Sequence, residues 1–174
     1  MEITAFDPDG ASDFAGKWLP AWTGNRPEYL VSFYTADAFY ADPAIPQGVC
    51  GREQLLAYFR KLLSRNPNWV WLHRGSIPLA DGFLNRWHAV IPVGDRAVQV
   101  DGVCTVQLRQ GLIYSNEVFF DRAELLRAIA EMKGDTQGRR RVYGAWRTLR
   151  DTLRADPARG VTPYRHSASP REKP

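Results

Sequence analysis

The stretch Ala97-Val-Gln-Val-Asp-Gly-Val-Cys-Thr-Val-Gln-Leu108 decides the fold. In it Val98, Val100, Gly102, Cys104, Val106 and Leu108 alternate with Gln99, Asp101, Val103, Thr105 and Gln107. Successive side chains of a strand point to opposite faces, so this run reads as a strand with one dry face and one mostly polar face. Working outward, the segments Trp69 to Ile77, Phe83 to Val93 and Leu112 to Phe120 keep the same period. Turn signals at Asp81-Gly82, Gly94-Asp95 and Gln110-Gly111 separate them. Short Gly-containing connections of this kind join antiparallel neighbours, and the spacing predicts a four-strand antiparallel meander with Val98, Val100 and Cys104 turned inward.

Beyond the meander the period becomes helical. Upstream, Ser12-Asp13 reads as the N-cap of a first helix carrying Phe14, Trp18 and Trp22, which Pro20 kinks or splits. Pro27 suits the first position of a second helix running through Glu28, Leu30, Val31 and Tyr34. Ala38 to Pro43 reads as a brief strand and Ile45 to Cys50 as a loop. Gly51 opens a helix whose apolar face is Leu55, Leu56, Phe59, Leu62 and Leu63, ended by Asn66-Pro67. Downstream, Asp121 followed three residues later by Glu124 has capping-box spacing ahead of Leu125, Leu126 and Ile129. The expected class is α+β, a curved antiparallel sheet forming a cone closed by N-terminal helices, plus an extra C-terminal helix.

At 174 residues, 44% apolar and 24% charged, the chain has the size and composition of one globular domain. Collagen-like, coiled-coil and low-complexity classes are excluded, and the apolar runs are too short to span a membrane. Cys50 and Cys104 lack CxxC spacing, and the acidic N-terminus lacks an apolar leader core, so a cytoplasmic protein with reduced thiols is expected. His73, His88 and His166 have no partners at ligand spacing, and neither a metal nor a cofactor is expected.

Charge is unevenly placed. Residues 1–132 carry 12 Lys/Arg against 15 Asp/Glu, a net of −3; residues 133–174 carry 11 against 4, a net of +7. This divides the chain into a cone domain over 11–132, a basic helical extension over 133–156 and a disordered tail over 157–174. Val142, Trp146, Leu149 and Leu153 form an apolar stripe on the extension, which is expected to dock on the body or on the dimer mate with its arginines outward. Clustered arginines beside Trp146 invite a nucleic-acid reading, but no nucleic-acid module surrounds them, and nucleic acid is not the expected partner.

The run Tyr34-Thr-Ala-Asp-Ala-Phe-Tyr-Ala-Asp42-Pro43, followed by Gly51 and a helix, resembles the nuclear transport factor 2-like superfamily, and within it SnoaL-like domains. Arg86-Trp87, Gly102, Gly111-Leu112-Ile113 and Asn116-Glu-Val-Phe-Phe-Asp-Arg122 also resemble that group, so the likeness covers Phe14 to Met132. The superfamily includes isomerases, dehydratases, epoxide hydrolases, aldol-type cyclases and non-catalytic binders. The resemblance therefore implies a fold and a small-molecule pocket more than one reaction. It also implies a homodimer paired through the outer sheet face, where Val103 sits among polar neighbours.

Asp42 matches the general base of ketosteroid isomerase-like members by its spacing from Tyr34 and its following proline. A plain turn-forming role is the competing reading, because Asp-Pro is common in turns. The family's helix-1 tyrosine falls near Trp18 and its oxyanion-hole aspartate near Cys104, neither a strong oxyanion donor. Asp101 lies near a position used by epoxide hydrolase-like members but alternates onto the polar face. By strand parity His73 shares a face with Trp69 and Trp71, Asn85 with Phe83 and Trp87, and Asn116 with Val118 and Phe120.

The expected catalytic pair is Asp42 and His73, with His73 or Asn116 as the donor to the developing charge. The expected ligand-binding set is Trp18, Trp22, Tyr34, Trp71, Asn85, Trp87, Cys104, Asn116 and Phe120. The expected ligand is small, apolar and flat, and the reaction would be of the lyase, isomerase, cyclase or hydrolase type without cofactor. The same cavity in a non-catalytic binding or dimerisation module is the alternative. Glu117 and His88 are expected on the outer face.

Overall fold

The computed structural model describes residues 8–134. The helix expected over 139–155 and the tail beyond it lie outside the described residues. In chain order the elements are α1 (Pro8–Trp18), a single 3₁₀ turn (Leu19–Trp22), α2 (Pro27–Val31), β1 (Tyr34–Asp42), β2 (Ile45–Cys50), α3 (Arg52–Arg65), β3 (Val70–Leu79), β4 (Gly82–Val93), β5 (Arg96–Arg109), β6 (Leu112–Phe120) and α4 (Ala123–Gly134).

The meander forms as its alternation predicts. β3, β4, β5 and β6 pair antiparallel in sequence order. On β5, Val98, Val100, Cys104 and Val106 are buried, whereas Gln99 and Asp101 are exposed. Gly102 has a specific reason to be glycine: an added Cβ would lie 2.2 Å from Cζ2 of the Trp87 ring, which covers it across the β4–β5 ladder.

The sheet as a whole departs from the expectation in two ways. It has six strands in the order β2-β1-β6-β5-β4-β3, and β1 runs parallel to β6, so the sheet is mixed and not wholly antiparallel. Parallel neighbours need a long crossover, and here β2 through β5 supply it. Ile45 to Cys50, expected as a loop, is the edge strand β2, antiparallel to β1. Pro46 and Gly48 disguise it; both residues are tolerated at a sheet edge, where one side of the backbone needs no partner. At Gly48 (φ +71) a side chain would strike the Phe39 ring.

The helices also shift. Within the described residues α1 is already helical at Pro8, four residues before the expected Ser12 cap. Pro20 ends it, since proline cannot donate the next helical hydrogen bond, and the chain continues as the 3₁₀ turn. α2 stops at Val31, which releases Tyr34 to open β1. α3 buries Leu55, Phe59 and Leu63 at four-residue spacing and leaves Leu56 and Leu62 half-buried. α4 follows Asp121, whose carboxylate accepts from the Ala123 N–H at 2.8 Å. Among the described residues no helix is long and apolar enough to cross a membrane.

Candidate functional site

The concave side of the sheet, the 3₁₀ turn, the C-terminal half of α3 and α4 enclose a cavity of about 610 Å³. Its wall is aromatic because five indoles converge on it: Trp18 and Trp22 flank Pro20, Trp69 and Trp71 lie at the start of β3, and Trp87 sits on β4. Trp22 is the hub, with ring centroids 5.2 Å from Phe59, 5.8 Å from Tyr40 and 5.9 Å from Trp71. Trp71 meets Trp87 at 4.8 Å, and Trp87 meets Phe120 at 5.6 Å. The edge-to-face pairs among these, Trp22–Phe59, Trp71–Trp87 and Trp87–Phe120, add to burial and hold each ring's orientation. The indole N–H groups of Trp69 and Trp71 are buried without a partner among the described residues. Leu125, Ile129 and Met132 of α4 close the remaining side.

The polar end is built around Asp42. Its Oδ1 accepts from the backbone N–H of Ala44 at 2.6 Å and of Ile45 at 3.1 Å, closing the β1–β2 turn. Its Oδ2 accepts from the hydroxyls of Tyr58 at 2.6 Å and Tyr40 at 3.0 Å. A carboxylate has about four lone-pair positions, and all are occupied here. Both phenols are pushed well above their ordinary range, by burial first and then by the adjacent Asp42 charge and hydrogen bond. Arg122 opposes that shift at Tyr58. It lines the cavity and donates to the Pro43 carbonyl at 2.8 Å.

Of the residues singled out in the sequence, Asp42, Trp18, Trp22, Trp71, Trp87, Cys104 and Phe120 line this cavity. His73, Tyr34, Asn85 and Asn116 do not. His73, Asn85 and Asn116 have the inward parity expected of them, and all four side chains pair within the body of the domain. The Nδ1–H of His73 donates to Asn85 Oδ1 at 2.8 Å, and Asn85 Nδ2 donates to Cys104 Sγ at 3.8 Å. Asn116 Nδ2 donates to Tyr34 Oη at 3.0 Å, both residues being fully buried. A β-bulge between His73 and Gly75 reverses the faces of the later β3 residues, so Ile77 is exposed. Burial pushes the Cys104 thiol up to about 12, which makes it an inert part of the wall. Cys50 and Cys104 are both free thiols. Glu117 is exposed, and His88 pairs with Asp101 at 2.9 Å on the outer face. Among the described residues no group of His, Cys, Asp and Glu could hold a metal ion.

Tyr40, Tyr58, Trp69 and Arg122 complete the site without having been singled out. Tyr40 had a signal, since it lies two residues before Asp42 on the same strand face. Tyr58 had none, because only the docking of α3 on β1 brings it to Asp42.

The SnoaL-like domain family matches residues 15–116. A protein of ketosteroid isomerase-like fold from Catenulispora acidiphila, solved with trimethylamine, is 21% identical with a TM-score of 0.61, covering 68% of this chain and 92% of that one. A candidate SnoaL-like polyketide cyclase from Jannaschia is 16% identical with a TM-score of 0.61, covering 71% and 93%. A SnoaL-like protein of unknown function from Burkholderia thailandensis is 17% identical with a TM-score of 0.56, covering 67% and 98%. At these identities the likeness establishes the shared fold. No curated protein matches the sequence.

Proposed function

This chain belongs to the SnoaL-like domain family, and from that membership we propose that it is a cofactor-free acid–base enzyme of the lyase, isomerase, cyclase or hydrolase kind. Its substrate is flat and apolar, and Asp42 is the general base. The observation that carries this reading is the meeting of Asp42 with Tyr58 and Tyr40 on the wall of an otherwise apolar cavity.

A base needs a free lone pair, and Asp42 has none until a donor leaves. Tyr58 is the donor suited to leave: it is half-buried, whereas Tyr40 is 3% exposed and packed between Trp22 and Phe59. A substrate carbonyl that draws the Tyr58 hydroxyl away from Oδ2 creates two functions together. Asp42 Oδ2 accepts the proton of the adjacent C–H bond, and the electron pair moves to the carbonyl oxygen, where Tyr58 donates to the developing oxyanion. Asp42 then returns the proton to another carbon, or a leaving group departs. Because the Tyr58 phenol is pushed upward, it serves as donor and keeps its proton. The oxyanion role expected of His73 or Asn116 passes to Tyr58, since neither of those residues reaches the cavity.

With a panel of planar aryl ketones and esters, Asp42→Asn should lose turnover by about 10² to 10⁴. Tyr58→Phe should lose less and retain binding. Equal activity in all three proteins would reject the reading.

One observation favours the alternative of a non-catalytic binding or dimerisation module. The two backbone N–H bonds to Oδ1 are those of an ordinary Asp turn. On that reading Asp42→Ala, which removes both turn bonds, lowers the melting temperature and leaves ligand binding intact. In either case we propose a homodimer through the outer sheet face, where Phe119 is 52% exposed opposite Val103.

A further inference from the structure

Three charged side chains line the cavity, Asp42, Arg122 and Arg65, and their placement is unequal. Arg122 lies close enough to Tyr58 for its charge to act on that hydroxyl, and its guanidinium is tied to the carbonyl of Pro43, the residue after Asp42. The Asp42 end of the cavity is therefore near neutral. Arg65 is different. It is exposed at the C-terminal end of α3 and forms no ion pair with any described residue. It stands seven residues from Tyr58 on the same helix, which is about 10 Å at 1.5 Å per residue. Trp69, Trp71 and Leu62 line the same cavity, so its wall is apolar between two polar ends.

We infer that Arg65 forms an anion subsite at the cavity mouth, and that the ligand is a planar apolar carboxylate with its acid group remote from the reacting carbon. This inference rests on the small-molecule reading of the cavity and names the class of molecule within it. A guanidinium matches a carboxylate in shape and offers paired N–H donors, whereas Asp42 has no acceptor position left for a cationic ligand while both tyrosines remain in place. A body about 10 Å long corresponds to two fused rings with a substituent, which places the acid at Arg65 and the opposite edge near Tyr58.

Isothermal titration with β-naphthoate and its neutral isostere β-naphthamide tests the inference, at low ionic strength because the subsite is exposed and screened by salt. The intact protein should bind the naphthoate about fivefold more tightly than the amide, the scale of one exposed ion pair. Arg65→Met keeps an apolar stem of similar reach, and it should erase the difference by weakening the naphthoate more than the amide. Equal affinities in the intact protein would overturn the anion subsite and leave the cavity reading standing. A preference that survives in Arg65→Met would also overturn it and move the anion to Arg122. Failure of both probes to bind the intact protein would reject the aromatic cavity as a binding site, and the subsite with it.

Discussion

Tyr58 and Asp42, sixteen residues apart, meet at 2.6 Å across the junction of α3 and β1, on an oxygen that Tyr40 also holds. The two phenols differ in what their loss exposes. Tyr40→Phe removes a fully enclosed donor to a charged group and should cost about 1.5 to 3 kcal/mol. Tyr58→Phe should cost about 1 kcal/mol or less, since water can reach the vacated position. Urea unfolding of both variants checks the order; a larger loss for Tyr58→Phe would mean that it is an anchor and does not move.

Alkaline pH should destabilise the fold through its buried hydroxyls and thiol. Burial pushes Cys104 up to about 12 and raises Tyr34 and Tyr40. The fold holds these groups protonated, so their contribution is complete below the unfolded-state values of 9.0 for the thiol and 10.0 for the phenols. It is lost as pH rises above them, because the unfolded chain then releases protons that the folded chain retains. Stability should begin to fall above pH about 9 and steepen above about 10, approaching about 1.4 kcal/mol per pH unit for each group. Denaturant melts over this range, with the tyrosinate absorbance of the buried phenols Tyr34 and Tyr40 appearing only on unfolding, provide the check.

Gly102→Ala should deform the cavity wall. The new methyl group would fall inside the Trp87 ring, and a core cannot absorb that without moving the indole. A cost of about 1 to 3 kcal/mol is expected, with altered tryptophan fluorescence and weaker binding of planar ligands. A variant with unchanged spectrum and melting temperature would contradict the placement of Trp87.

How much of the molecule was legible in the sequence depends on how local the determining force is. The β5 alternation needs only a period of two and a dry face, and it foretold both the meander and the burial of Val98, Val100 and Cys104. The Phe14-Trp18-Trp22 spacing and Pro20 foretold an aromatic element broken at the proline. β2 was hidden because an edge strand needs little propensity of its own; β1 recruits it. The inward faces of His73, Asn85 and Asn116 were correct by parity, yet parity names a face and not a depth. Asn85 sits behind the wall bonded to His73, and Asn116 bonded to Tyr34. Tyr58 and Arg122 depend on how helices dock, which no local pattern encodes.

The outer sheet face should pair two copies. Phe119 lies directly opposite Val103 in the β5–β6 ladder, with Ile77 also exposed. A charge placed there meets its own copy across a two-fold axis. Light scattering should show a dimer for the intact protein and a monomer for Phe119→Asp, with the melt of the variant still cooperative; a monomer for the intact protein at high micromolar concentration would contradict the pairing.

The central claim, that Asp42 removes a proton from a carbon acid bound among the tryptophans, is tested most directly by protein-catalysed deuterium exchange at the α-carbons of β-tetralone, a flat apolar ketone, followed by NMR. Asp42→Asn is a fair control, because its amide oxygen can still accept from Ala44 and Ile45 while the amide nitrogen faces hydroxyls able to turn and accept. The account predicts exchange accelerated by the intact protein and slowed by about 10² or more in Asp42→Asn, with β-tetralone bound equally by both. Exchange at the same rate in both proteins, or binding without acceleration by the intact one, would contradict it.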